Sequence, residues 1–373
     1  MSADARTGSA ARPRLRDSII VVQLADGRLQ FRATYERVVS TFSVEPWVAD
    51  LVPLLDGTRT PVQLAQTLSL RDRGALEDVL EVLESERFLA SEASSTDRAT
   101  RHSRQLQLFD EMISADELSA VARGHDASTI QSRLTGACVV VVGVGGAGSW
   151  VVQSLAAAGV GRLVLIDPDV VELSNLNRQV LFDSGDIGRV KVDAAAERVA
   201  EIDKDITVDV WRTRVDTAEQ LATLISGADL VVSCADQPSV PVVADVVATA
   251  STAVAVPHIV GGAYGALLGV PGVTVLPGRT TCWSCIRAAT ADDHGRAART
   301  LKGSSPGGSA APLAGVVGNM TAWEALRILL GAPPALAGGV REVDLASFDS
   351  VWRPIPPRLE CGCVPSSETT GST

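Results

Sequence analysis

Residues 139–149 read Val-Val-Val-Val-Gly-Val-Gly-Gly-Ala-Gly-Ser, an apolar strand that breaks into a glycine turn and resumes as a helix. A parallel strand feeding a helix through so short a turn needs glycine in two kinds of place: where the backbone folds back, and where the helix packs on the strand. Gly143, Gly145, Gly146 and Gly148 fill those places, and the helix N-terminus beyond them favours an anion such as a phosphate. Leu163-Val164-Leu165-Ile166 comes next as a second buried strand. It ends in Asp167, about 20 residues on, where a nucleotide-binding βαβ unit keeps the acid that holds a ribose. The expected fold is α/β, a Rossmann-like, mostly parallel sheet with helices on both faces.

A glycine turn of this kind serves NAD, FAD, S-adenosylmethionine or ATP, so the residues beyond the acid decide between them. Asp167-Pro168-Asp169 leads into Glu172-Leu173-Ser174-Asn175-Leu176-Asn177-Arg178-Gln179 and then Gly188-Arg189-Val190-Lys191. A dinucleotide site has little use for an Asn, an Arg and a Lys converging beyond the ribose acid. A triphosphate does, because Arg and Lys offset its charge and stabilise a phosphoryl or adenylyl group in transfer. The plainer alternative is a solvated run of charges with an ordinary helix lysine. Further on, Asp229-Leu230-Val231-Val232-Ser233-Cys234 reads as another buried parallel strand, ending at Ala235-Asp236. Ligands gather at the carboxyl ends of such strands, and a carboxylate there suits magnesium. The competing role for Asp236 is a helix N-cap ahead of Pro238.

This series resembles the adenylyltransferases that activate sulfur carriers in thiamin and molybdopterin synthesis, together with the ubiquitin-activating enzymes. The resemblance runs from about residue 101 to 363. It opens on Arg101-His102-Ser103-Arg104-Gln105, similar to the family's Arg-Tyr-x-Arg-Gln, with His102 in place of the usual Tyr. It implies that Asp167 holds the ATP ribose, with Asp169 beside it, that Asn175, Arg178 and Lys191 contact the phosphates, and that Asp236 binds magnesium. It also implies a homodimer in which Arg104 reaches into the ATP site of the other subunit. The catalytic set expected on this basis is Arg104, Arg178, Lys191 and Asp236.

Of six cysteines, four stand as Cys282-Trp283-Ser284-Cys285 and Cys361-Gly362-Cys363. Two close pairs joined by folding make a closed tetrathiolate zinc site, and a closed site is structural. The tighter Cys361-x-Cys363 spacing departs from the second Cys-x-x-Cys of the related enzymes. Two disulfide-type pairs are the alternative. Cys138 and Cys234 lie in apolar strand runs as small hydrophobes. The Gly- and Ser-rich stretch 291–311 resembles the family's crossover loop but holds no cysteine to accept an acyl group, so the expected chemistry either stops at adenylylation or passes the adenylate to a small nucleophile or to the substrate itself.

Residues 1–17 read as a disordered tail, without the apolar core of a signal peptide. No uninterrupted apolar span is long enough to cross a membrane, so a cytoplasmic enzyme with no membrane partner is expected. A formal net charge of -11 argues against a general nucleic-acid binder. Residues 18–90 read as a separate module. It has a β-hairpin, Ser18–Leu24 with Leu29–Ala33, then three helical stretches, the second capped at Thr60-Pro61 and the third striped by Leu76, Val79, Leu80, Val82 and Leu83. Residues 91–100 read as a polar linker, 101–363 as the adenylylation domain and 364–373 as a second tail.

The hairpin-and-helices module resembles the winged-helix peptide-recognition domain of enzymes that modify ribosomally made peptides, and the peptide chaperone of pyrroloquinoline quinone synthesis. An exposed hairpin edge accepts a leader peptide as an added strand; a dimerisation or capping domain is the alternative. In layout the whole chain resembles peptide adenylyltransferases of the microcin C type. The expected function is therefore ATP-dependent adenylylation of the C-terminus of a precursor peptide bound through its leader. The rivals are activation of a ubiquitin-like sulfur carrier and a non-catalytic leader-binding scaffold for a cyclodehydratase.

Overall fold

The computed structural model describes residues 12–34, 36–90, 100–115, 118, 125–265, 267–292 and 308–363. The chain divides into two compact units, residues 1–131 and 132–373. The stretches 1–11, 91–99 and 364–373, expected to be tails and linker, lie outside the described residues, as does most of the crossover stretch.

In the first unit the expected hairpin forms from β1 (Ile19–Gln23) and β2 (Leu29–Ala33), with Ile19 opposite Ala33 and Gln23 opposite Leu29. Antiparallel to β2 runs a strand that the sequence does not announce, β3 (Val38–Phe42). Its entry turn lacks the usual glycine or asparagine; Arg37 takes the left-handed conformation instead, with φ 58. Side chains alternate across a sheet, so Leu29, Phe31 and Ala33 face inward against helices Pro46–Leu51, Pro61–Thr67 and Arg73–Ser85. Phe31 stacks on Phe88 at 4.9 Å, and Phe42 meets Phe31 edge-on at 5.8 Å. Leu76 and Leu83 of the expected stripe are buried, but Val82 is turned out to solvent.

Residues 12–17 are not a tail. The backbone of Leu15 donates to Leu55 O and that of Arg16 to Phe88 O. Arg16 is only 2% exposed, bonded to Glu111 at 2.9 Å, Glu36 at 2.6 Å and Arg87 O at 2.8 Å. An arginine-rich stretch reads as solvated because its neutralising carboxylates lie far off in sequence, and a buried guanidinium is tolerated when it is paired in this way.

The second unit contains β4 (Cys138–Val142), β5 (Arg162–Ile166), β6 (Thr207–Trp211), β7 (Leu230–Ser233), β8 (His258–Val260), β9 (Ala263–Gly265), β10 (Leu268–Val270), β11 (Val273–Val275), β12 (Gly339–Asp344) and β13 (Ser350–Pro354). Among the described residues, one sheet has the order β11-β8-β7-β4-β5-β6, parallel except for β11. A smaller antiparallel sheet has the order β13-β12-β10-β9.

Period-2 alternation places both faces of the main sheet in a core. Val139 and Val141 pack with Val151, Leu155, Val192 and Val199 of helices Gly146–Ala157 and Lys191–Ile202. Val140 and Val142 pack with Leu221, Ile225, Val243 and Val247 of helices Ala218–Ile225 and Val240–Ala253. This is the expected doubly covered sheet. No described helix is long and apolar enough to cross a membrane.

Candidate active site

Strand order reverses at β4. From it the chain passes to β5 on one side, then returns to β7 on the other. Crevices at the carboxyl ends of strands open at such a switch point. The glycine turn leaves β4 there and Cys234-Ala235-Asp236 leaves β7, with Val142 and Ser233 opposite one another. Gly143 has φ 89, and a Cβ on it would press on the Ala235 backbone at 2.6 Å, so the two loops lie in contact only because residue 143 is glycine. A Cβ on Gly148 would meet the Gly143 carbonyl and Cys234 Cβ, the close helix-on-strand packing expected of the third glycine. Helix Gly146–Ala157 begins after Gly145 without any side-chain cap, which leaves its first N–H groups turned to the crevice as anion donors.

Asp167 lies just beyond β5 and is 5% exposed. Its Oδ2 accepts from Val144 N at 2.7 Å and its Oδ1 from Asp169 N at 2.9 Å, so the acid is lashed to the glycine turn. Burial raises its pKa, against the opposing pull of Lys191 and the two backbone donors. Lys191 opens helix Lys191–Ile202, is itself buried, and places Nζ 3.0 Å from Asp169 Oδ2. Asn175 ends a 3-10 turn, Leu173–Asn175, with its Oδ1 accepting from Glu172 N at 3.1 Å. The half-buried Arg178 donates to Ser174 O at 2.7 Å and Asn177 Oδ1 at 3.1 Å. This segment is fixed to the start of helix Gly146–Ala157: Trp150 Nε1 donates to Arg178 O at 3.1 Å and Val180 N to Ser149 Oγ at 3.2 Å.

Asp236 stands exposed beyond β7. It is not an N-cap, because helix Val240–Ala253 is preceded by Ser239. Arg104 belongs to the first unit, exposed on helix Ser103–Ser114 with Nη1 3.2 Å from Gln107 Oε1, and is not among the groups the second unit gathers. Two residues at the glycine turn have no role expected from the sequence. Gln179 is 4% exposed with Oε1 lacking a hydrogen-bond partner among the described residues. Tyr264, on β9, lies against Gly146. Gln179 sits inside the recognised run and was open to assignment; Tyr264 sits in a stretch with no local pattern.

The four cysteines converge. Their sulfurs lie within 4.8 Å of one another, with Cys282–Cys361 at 3.6 Å and Cys285–Cys363 at 3.9 Å. Both of these close pairs run across the two segments, and all four thiols are free. Zinc bound at about 2.3 Å to four tetrahedral thiolates sets sulfurs about 3.8 Å apart, so the donor set fits that ion. The tight Cys361-x-Cys363 spacing is accommodated by Gly362, which takes φ 64.

Among known proteins, the sulfur carrier protein ThiS adenylyltransferase of Escherichia coli is 34% identical over 62% of this chain and 87% of its own length. The SAMP-activating enzyme E1 of Haloferax volcanii is 32% identical over 74% of this chain and 90% of its own. Among solved structures, E. coli MccB with ATP shares the fold at a TM-score of 0.75 and 19% identity, covering 94% of this chain and 99% of MccB. The ThiF family model matches residues 102–363, and the chain belongs to the ThiF family, as an adenylyltransferase.

Proposed function

We propose that the protein adenylylates the C-terminus of a ribosomally made precursor peptide, which the first unit holds through its leader. A terminal carboxylate or carboxamide oxygen attacks the ATP α-phosphorus and pyrophosphate leaves. The ribose falls to Asp167. Asn175, Arg178 and Lys191, with Asp169 beside them, take the phosphates. Arg104 of a second copy completes the site in a homodimer. Asp236 holds a magnesium ion, which supplies charge neutralisation at the phosphates. Little covalent work falls to the protein: it aligns the reactants, offsets charge and excludes water. Zinc on Cys282, Cys285, Cys361 and Cys363 has a structural role.

The observation that carries the peptide reading is whole-chain: the likeness to MccB takes in the first unit as well as the nucleotide domain. MccB has been solved with AMPCPP and MccA together. In the first unit, β1 and β3 are edge strands of the three-stranded sheet, with Ile20, Val38 and Val39 about half exposed at 50%, 47% and 59%, which suits an added peptide strand. The second reading, activation of a small ubiquitin-like sulfur carrier, draws on those relatives above 30% identity that are named sulfur carrier protein adenylyltransferases.

ATP–pyrophosphate exchange separates the two. Short peptides encoded beside the gene are expected to stimulate exchange, and a Val39→Glu change on the sheet edge to weaken that stimulation. Exchange driven by a ubiquitin-like protein and indifferent to Val39→Glu would favour the sulfur-carrier reading instead.

A further inference from the structure

Helix Gly146–Ala157 starts at a glycine for a reason that lies far away in sequence. A Cβ built on Gly146 would collide with the Tyr264 hydroxyl and come within 3.0 Å of its Cζ and 3.4 Å of its Cε1; its three nearest neighbours are all atoms of this one side chain. Tyr264 is delivered by β9, where it pairs with Gly269 of β10. The turn that leads into β9 is braced at Gly261 by the Trp283 ring, whose Nε1 donates to Asp245 at 2.8 Å. The phenol is thus held over the uncapped amino end of the helix, and among the described residues its hydroxyl makes no hydrogen bond. On Gly145, the preceding residue, a Cβ would lie 3.8 Å from Gln179 Nε2. Gln179 is buried at 4% exposure with its Oε1 unpartnered. Two neutral hydrogen-bonding groups therefore lack partners among the described residues where backbone N–H groups also stand free; Gln179 Oε1 is buried, and a buried polar group in that condition is costly unless a ligand completes it, while the half-buried Tyr264 hydroxyl is left open to one.

We propose that Tyr264 is a nucleotide-binding residue whose hydroxyl donates a hydrogen bond to the phosphate seated on the amino end of helix Gly146–Ala157, and that residue 146 is glycine to admit it. The inference rests on the adenylyltransferase reading of the site. Because the contact is to phosphate, it distinguishes nucleotides from the nucleoside. It also makes Gly146 and Tyr264 an energetically coupled pair, although 118 positions separate them.

Calorimetric titration of the full-length protein with AMP, and with adenosine as a competitor of AMP, tests this. Tyr264→Phe keeps the ring packing. It is expected to weaken AMP binding about tenfold, the scale of a lost hydrogen bond to a charged group, while leaving adenosine binding unchanged. Gly146→Ala is expected to weaken AMP binding in the wild-type background and to have little further effect in Tyr264→Ala. Unchanged or tighter AMP binding by Tyr264→Phe would overturn the proposal, as would equal losses for AMP and adenosine, or a Gly146→Ala penalty of the same size in both backgrounds. Wild-type protein that binds no AMP and shows no ATP–pyrophosphate exchange would instead bring down the nucleotide reading on which the proposal stands.

Discussion

Asp167 and Asp236 lie beyond two strands of one sheet, β5 and β7, yet their surroundings differ as the roles proposed for them do. Asp167 is enclosed and doubly hydrogen-bonded, and its raised pKa comes from burial. Its stabilising contribution is greatest below the unfolded carboxylate pKa and falls away as pH rises through the raised folded value, so at neutral pH its charge is held at some cost to the fold. Asp236 is exposed and free to take an ion. Asp236→Ala is expected to lower ATP–pyrophosphate exchange by about a hundredfold or more, while urea denaturation shows a change within about 0.5 kcal/mol, as for other surface substitutions; normal exchange would remove the magnesium role.

His258 is a purely structural titrating group. It is fully buried, with Nδ1 3.0 Å from Val256 O and Nε2 unpartnered among the described residues, and burial pushes its pKa down to about 4 from 6.5. The unfolded chain takes up this proton below pH 6.5 and the folded chain only near 4. Stability from His258 is therefore complete above 6.5 and lost as pH falls toward 4, about 3 kcal/mol in all. His258→Gln should flatten that part of the pH dependence of the thermal midpoint, measured beside wild type between pH 4 and 7.

At the scale of elements, local chemistry explains most boundaries. Helix Pro61–Thr67 carries a full capping box: Thr60 Oγ1 accepts from Gln63 N at 3.3 Å, Gln63 Oε1 accepts from Thr60 N at 2.9 Å, and Pro61 takes the first position. Thr60→Ala is expected to destabilise the first unit by about 1 kcal/mol and Thr60→Ser much less, read from amide hydrogen exchange along this helix. Helix Lys191–Ile202 breaks the rules instead. A cation in the first helical turn opposes the macrodipole, and Lys191 is buried there, paired with Asp169 and close enough to Asp167 to feel its charge. Such a local conflict is expected at a functional position, and the phosphate proposed for Lys191 would resolve it.

Across the whole molecule, long-range pairings decide what the elements can do. Cys282 and Cys361 stand 79 residues apart yet bring their sulfurs to 3.6 Å. Freshly purified, reduced protein should contain about one zinc per chain by mass spectrometry of metals. Cys361→Ser should lose that zinc and lower the thermal midpoint, since binding to a closed site is coupled to folding. Metal-free wild-type protein of unchanged stability would refute the zinc assignment.

Sequence alone determined the strand, turn and helix at Val139–Ser149, the acid at 167, the polar run to Lys191, the Thr60 cap and the two cysteine pairs, because hydrophobic period, glycine conformation and capping chemistry act between residues near in sequence. Val38–Phe42 escaped it because an arginine took the turn position that glycine usually marks. Only the tertiary structure decided that Arg16 is buried between Glu36 and Glu111, that Gln179 Oε1 lacks a partner among the described residues, that the four thiols expected to meet do so, and that Tyr264 covers Gly146. Those facts concern which surfaces meet when the core closes, and that depends on packing and desolvation across segments with no common local pattern.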